Sequence, residues 1–448
     1  MANETIQLAE YAAGLRYDDL PADVVQRAKD CITDTVAVIV QGSALPWSQI
    51  IIRYAQSIGT GGRSRVLGST GPLLRAPAAA LANGTLAHAF ESDNLTRPGV
   101  GVHPGGTLLP ASLAVAQDRG SSGRDLIAAV VAGFEVMYRV GQATKHSNER
   151  RGFHAPGTTG PFGATVAAGA LLGLNPSQMT NALGIAGSLA GGLMEFARSG
   201  TGAMVKRLHL GRASESGVMA SALAADGFTG PTSVLEGEAG FLKVFCTEWD
   251  IADLTRGLGT DYKTMTLCLK RFPVHMTAQT GVQAVLELQA EHRFTGADVD
   301  RVIVAGTERM ATINNIANPT DIMMAQYSIP FCVALALFRD PRDPASFDDS
   351  ALSDPAIRAM TSRVSVVTAD PPVKFAGASI VTVHLKDGRS VSKEVEEFNG
   401  TPARPLDRAE LKDKFMTLTR VRYGDEATAM FERLQGLEDE TDLGWVGA

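Results

Sequence analysis

The run 21–40, PADVVQRAKDCITDTVAVIV, decides the fold class of the first half of the chain. Pro21-Ala22-Asp23 reads as a helix start: proline is tolerated in the first turn, and an early carboxylate suits the positive end of the helix dipole. Across 24–40 apolar residues recur at spacings of three and four, the period of a helix buried along one face. The helix is expected to end before Gly42. The same recurrence continues outward at 76–87, 107–117, 124–142 and 164–172. Asn175-Pro176 restarts a helix toward Ala186, and 212–225 supplies another. Alanine and glycine are frequent here, so the helices can pack closely without large side chains.

The texture changes after about Lys270. Val302-Ile303-Val304, Val364-Ser365-Val366-Val367 and Ile380-Val381-Thr382-Val383 are β-branched runs. The last leads through Asp387-Gly388, a hairpin dipeptide, to Val391. Helical patterns at 277–290 and 328–338 interleave with these strands, which predicts a small sheet covered by helices. Charged, helix-favouring residues return from Arg408. The expected fold is therefore mainly α: a large all-helical domain of residues 1–268 and 399–448, and a smaller α/β domain of residues 269–398.

At 448 residues the chain exceeds the size at which one core stops growing. Hydrophobic residues make up 45% and charged residues 20%, the composition of a globular protein. A formal net charge of −7 argues against a nucleic-acid partner, so any anionic ligand must be met by local cations. Residues 1–10 lack the layout of a signal peptide, and no apolar run is expected to reach the roughly 18 residues of a membrane span. The chain is expected to be cytoplasmic, with no membrane partner. Cys31, Cys246, Cys268 and Cys332 are too scattered for a zinc pair or a small disulfide framework and read as buried free thiols.

Four segments carry candidate chemistry. The first, His88-Ala89-Phe90-Glu91-Ser92-Asp93-Asn94 through Thr96-Arg97 to His103-Pro104-Gly105-Gly106, gathers histidines, carboxylates and an arginine in a glycine-rich loop. Helix capping by Glu91 and Asp93 is the plainer reading. The second, Gly152-Phe153-His154 with 155–161, places a histidine in a Gly/Pro/Thr loop leading into a helix. The third, Gly200-Thr201-Gly202 through Lys206-Arg207-Leu208-His209 to Gly211-Arg212, supplies cations in an acidic protein, where a carboxylate can be neutralised. The fourth, Lys270-Arg271-Phe272-Pro273-Val274-His275, sits at the expected domain junction and suits either a lid or an interdomain salt bridge. The serine-hydrolase elbow, the HExxH helix, the Walker loop and the dinucleotide fingerprint are all missing from the sequence.

Taken in order, these segments resemble the MmgE/PrpD family, which comprises 2-methylcitrate dehydratases, cis-aconitate decarboxylases and an iminodisuccinate epimerase. The resemblance runs over nearly the whole chain. It implies a helical first domain, a smaller α/β lid, a homodimer, and neither metal nor organic cofactor. It implies that Asp93, His103, His154, Lys206 and Lys270 line the pocket. The candidate catalytic set is His103, His154, Asp93 and Lys206. The candidate substrate-binding set is Lys270, Arg207, Arg212, His209, Glu91, Thr96 and His275. The chain departs from the family pattern at Glu91-Ser92-Asp93-Asn94, where an Asp-Phe-Asp-Asp-Thr run is usual and Thr96 stands displaced by one. It departs again at His275, where cysteine is usual, and at Phe331, a tyrosine in some members.

The expected function is a cofactor-independent lyase acting on a small polycarboxylate, with 2-methylcitrate dehydration as the leading reading. A base removes a proton beside a carboxylate while cations stabilise the enolate-like charge. Decarboxylation of a cis-aconitate-like acid, epimerisation of an iminodisuccinate-like acid, and a non-catalytic metabolite-binding protein are the alternatives.

Overall fold

The structure, a computed structural model, describes residues 3–197, 203–375 and 377–448. Helix accounts for 58% and strand for 9%, so the protein is mainly α. The chain divides into two units, one of Met1–Ala89, Asp93–Cys268 and Leu411–Ala448, the other of Phe90–Ser92 and Leu269–Glu410.

In the helical unit the opening helix is Ala22–Ser43, with Pro21 as its N-cap. It runs through Gly42 instead of ending before it. A Cβ at Gly42 would stand 2.2 Å from the Leu86 carbonyl oxygen, so the glycine serves helix contact and not termination. Helix Val205–Ala225 is the hub, packed on Ala76–Ala87 and on Ala155–Leu171, which in turn packs on Gly123–Ala143. A Cβ at Gly211 would meet Thr85 Oγ1 at 2.1 Å, so only glycine allows this approach.

Two helices extend into segments that read as loops. Ala155–Leu171 includes Pro156 in its first turn and Pro161 inside it, and Val205–Ala225 takes in Lys206, Arg207 and His209. Dense packing of small residues outweighs their weak local preference for helix. Residues 200–202 of the third segment lie outside the described residues.

Helix Gly123–Ala143 is long and apolar enough to cross a bilayer by length and composition, contrary to the expectation that no run would be; 89% of its most apolar window is buried inside the protein. It carries a buried ion pair. Arg139 Nη1 donates to Glu135 Oε2 at 2.6 Å, and its Nη2 donates to the carbonyls of Gly257 and Asp261 at 3.1 and 3.0 Å. Glu135 also accepts from the backbone amides of Lys263 and Thr264 at 2.9 and 2.8 Å. The C-terminal return is anchored by Lys414, whose Nζ reaches Asp34 Oδ1 at 2.5 Å in the interior.

The α/β unit holds a four-stranded sheet in the order Val364–Thr368, Val299–Gly306, Ser379–Leu385, Ser390–Val395. The first pair is parallel and the others antiparallel. Gly388, at φ 93°, makes the hairpin that Asp387-Gly388 predicts. Helix Gln279–His292 packs on the last two strands, and Ile329–Phe338 packs on that helix. The contact-based unit runs from Leu269 to Glu410. Within it, Leu269 N–H donates to Gly400 O at 2.8 Å, and Asn399 is bonded to Gln283 and Glu410. All four cysteines are buried thiols outside any disulfide.

Candidate active site

In the helical unit, the ends of four helices bring histidines together. His88 caps the C-terminus of Ala76–Ala87. His103 and His154 are the N-caps of Pro104–Arg119 and Ala155–Leu171, where the helix dipole favours negative charge. Lys206 and His209 lie in the first turns of Val205–Ala225. The His88 ring stands 5.0 Å from that of His103 and 6.0 Å from that of His154.

Asp93 organises the group. Its Oδ2 accepts from His88 Nδ1 at 2.9 Å and from His103 Nδ1 at 2.6 Å. With protons fixed on both Nδ1 atoms, each Nε2 is left as the atom that exchanges protons. His88 is 2% exposed, and its Nε2 finds no hydrogen-bond partner among the described residues. The loop holding Asp93 is pinned by Asn94, whose Nδ2 donates to Asp34 Oδ2 and Thr35 Oγ1 at 3.0 Å each. Asn94 Oδ1 accepts from the Gly105 amide at 2.8 Å, tying the loop to the helix that begins beside His103.

Burial pushes His88 down to about 4 despite the opposing pull of Asp93. Burial, then the neighbouring His88 and Lys206, hold His154 well below the ordinary imidazole value. Burial and Lys206 lower His209 too. All three are therefore neutral at pH 7, able to accept a proton or to donate one as an imidazole. As pH falls below about 6.5 the unfolded chain protonates at His88 while the folded chain does not until about 4. The stability this group contributes is complete above 6.5 and is lost between 6.5 and 4. From these values the loss attributable to His88 at pH 5 is about 2 kcal/mol. His88→Asn is expected to flatten the decline in urea midpoint between pH 7.5 and 5; an unchanged slope contradicts this.

The remaining candidates in this unit have other surroundings. Arg207 is buried, donates from Nε to Ala89 O at 3.1 Å and lies 4.6 Å over the Trp47 ring, which anchors the end of the helix bearing His88. Arg212 is exposed and pairs with Glu215. Thr96 is buried in the short ladder Leu95–Thr96, opposite Leu267, and its Oγ1 has no hydrogen-bond partner among the described residues.

In the α/β unit, Lys270 Nζ donates to Glu91 Oε2 at 3.0 Å, both side chains being buried. Glu91 is held at φ 54°, a left-handed conformation that few non-glycine residues adopt. The His275 ring lies 4.5 Å from that of Tyr327, and its Nδ1 meets Thr277 Oγ1 at 2.9 Å. Phe331 is buried in the first turn of Ile329–Phe338. The sequence alone does not decide whether His88, Glu91 and His209 orient the catalytic groups or simply pack, and it gives no sign of the roles of Asn94, Phe196, Gln326 or Tyr327. Gln326 donates from Nε2 to the carbonyls of Phe90 and Pro273 at 2.9 and 2.8 Å, and so fixes the backbone beside Glu91.

His88, Asp93 and His103 also offer ligand atoms within 4.8 Å of one another, a spacing a cation can use. The two Nδ1–H bonds to Asp93 account for this spacing without one.

Comparison with known proteins supplies a second line of evidence. The MmgE/PrpD N-terminal domain matches residues 6–253, and the MmgE/PrpD C-terminal domain matches residues 272–439. The chain is 29% identical to a cis-aconitate decarboxylase of Aspergillus terreus, over 98% of this chain and 95% of that protein. It is 28% identical to the cis-aconitate decarboxylase of Homo sapiens, over 96% and 90%. A 2-methylcitrate dehydratase of Cupriavidus necator is 25% identical, over 52% of this chain and 51% of that protein.

Proposed function

The chain belongs to the MmgE/PrpD family, and from that premise we propose that it is a decarboxylase of a cis-aconitate-like polycarboxylate, working without a metal. That it is a lyase follows from its relatives, which are decarboxylases and a dehydratase. The decarboxylase reading replaces dehydration as the leading one because the decarboxylases align along nearly all of this chain and the dehydratase along about half.

The observation that carries the reading is Asp93 Oδ2 accepting from two imidazoles while Lys206 lies buried nearby. Loss of carbon dioxide leaves an electron pair on carbon, conjugated with a remaining carboxylate, and consumes one proton. Lys206 supplies positive charge for the anion. His103, fixed through Nδ1 by Asp93, and His154 are the proton carriers. Lys270 with Glu91 is the candidate carboxylate-binding pair of the α/β unit. The same carriers serve a second reading, dehydration of a 2-methylcitrate-like acid, in which one takes the C–H proton and another protonates the departing hydroxyl. The dehydratase relative favours it. A homodimer in the cytoplasm completes the proposal.

The test is proton NMR in deuterium oxide of chelator-treated protein with cis-aconitate, 2-methylcitrate, citrate and iminodisuccinate. Loss of carbon dioxide from cis-aconitate, at a rate that chelation leaves unchanged, is expected. Dehydration of 2-methylcitrate alone selects the second reading. Deuterium wash-in without elimination makes the protein an epimerase, and inertness toward all four acids defeats the proposal.

A further inference from the structure

His154 Nδ1 and His209 Nδ1 lie 2.9 Å apart, a hydrogen bond between the same atoms of two imidazoles. Only one proton fits between them. The contact is built in: Gly192, at φ 124°, leaves the space of its missing side chain to the His209 ring, whose Nδ1 is 3.2 Å from where a Cβ would stand. The backbone on either side is joined to the His154 loop, through His154 N–H to Gly192 O at 3.0 Å and Gly191 N–H to Gly157 O at 3.1 Å. Phe196 packs against both rings, at 5.1 and 5.9 Å. His154 is buried, whereas His209 is partly exposed.

We propose that His209 is a positioning residue which decides whether His154 acts as acid or base and connects it to solvent. The inference rests on the lyase reading above. When His154 carries the shared proton, its Nε2 has a free lone pair and is a base, and His209 carries its proton on Nε2. When His209 carries the shared proton, His154 bears its proton on Nε2 and is an acid. In decarboxylation a solvent proton adds to His209 Nε2, the His209 Nδ1 proton crosses to His154 Nδ1, and the His154 Nε2 proton passes to the carbanion. One proton enters, one reaches carbon, and both rings are neutral before and after. Proton abstraction from a C–H runs the same transfers in reverse. The pair then stands with a lone pair on His154 Nε2, and it returns to the acid form when, after product release, water delivers a proton to His154 Nε2, the Nδ1 proton crosses back to His209 and His209 Nε2 releases its proton to solvent, so that no charge is stranded beside Lys206 at rest.

Two variants test this. His209→Asn fills most of the space but cannot pass a proton along, and His209→Ala leaves room for added imidazole. Both are expected to lower kcat by about 10- to 100-fold with KM changed less than about 3-fold, and imidazole is expected to restore part of the loss in His209→Ala. A raised KM with unchanged kcat marks His209 as a substrate-holding residue and overturns the proposal. A readout independent of turnover is 15N NMR of labelled histidines. Both ring nitrogens of His154 should show shifts intermediate between the two tautomers in the parent protein and collapse to one tautomer in His209→Asn. Unchanged His154 shifts refute the coupling. Should the parent protein turn over none of the acids tested, the lyase reading fails while the NMR result still decides the tautomer couple.

Discussion

Asp93→Asn is expected to lower kcat by about 10³-fold while leaving the fold intact. The side chain keeps its shape but loses the charge that holds protons on Nδ1 of both His88 and His103. Removal of the carboxylate that orients a catalytic histidine produces losses of this order elsewhere, because the wrong tautomer and an unstabilised imidazolium both raise the barrier. KM should change little, since the carboxylate acts on the proton carriers and is not a cation for the substrate. Turnover of the NMR-identified substrate, with near-ultraviolet circular dichroism to verify packing, is the measurement. A loss below 10-fold would show that neither histidine depends on Asp93.

The second large effect falls on stability. Arg139→Met is expected to destabilise the helical unit by about 3–5 kcal/mol, because it leaves Glu135 buried without its cation and two carbonyls without their donor. Combining it with Glu135→Gln should recover part of the loss: the amide oxygen still accepts from Lys263 or Thr264, and no uncompensated charge remains. Urea midpoints of the two variants decide the matter. A shift under 1 kcal/mol in Arg139→Met means that water or rearrangement satisfies Glu135, and the pair is then less central to the core than its burial implies.

Local periodicity was enough to find the long buried helices at 24–40 and 124–142 and the hairpin at Asp387-Gly388, since each signal is contained within one element. It failed at 155–163 and 205–211. Glycine and proline in the first, and glycine in the second, argue for loops, and close packing against neighbouring helices holds both helical: a Cβ at Gly160 would crowd Ala213, and one at Gly211 would crowd Thr85. The site was readable in the same limited way. His103, Asp93, His154 and Lys206 fall in three segments where polar residues gather beside glycines, and the family resemblance is what assigns them to one pocket. The pairing of His154 with His209 joins residues 55 positions apart, and that of Asp34 with Lys414 joins residues 380 apart. Neither leaves a mark on local composition. His88 was left undecided for a related reason, because a histidine at a helix end is common and only its shared use of Asp93 gives it a place. Residues 399–410 read locally as the approach to a helix, and their hydrogen bonds to Leu269 and Gln283 are long-range contacts that local composition does not show.

The threading of the helical unit bears on how it is made. Its last stretch, Leu411–Ala448, follows the whole of Leu269–Glu410 in the chain. On a ribosome the inserted α/β unit is therefore finished first, and the helices before it wait roughly ten to thirty seconds for their final partner at ordinary elongation rates. During that interval Asp34 has no Lys414 to neutralise it, and the Asn94 contact that steadies the Asp93 loop rests on an uncompensated carboxylate. The helices that precede the inserted unit thus depend on residues that follow it, and the Asp34 carboxylate beneath the Asp93 loop gains its cation only once Lys414 has been made.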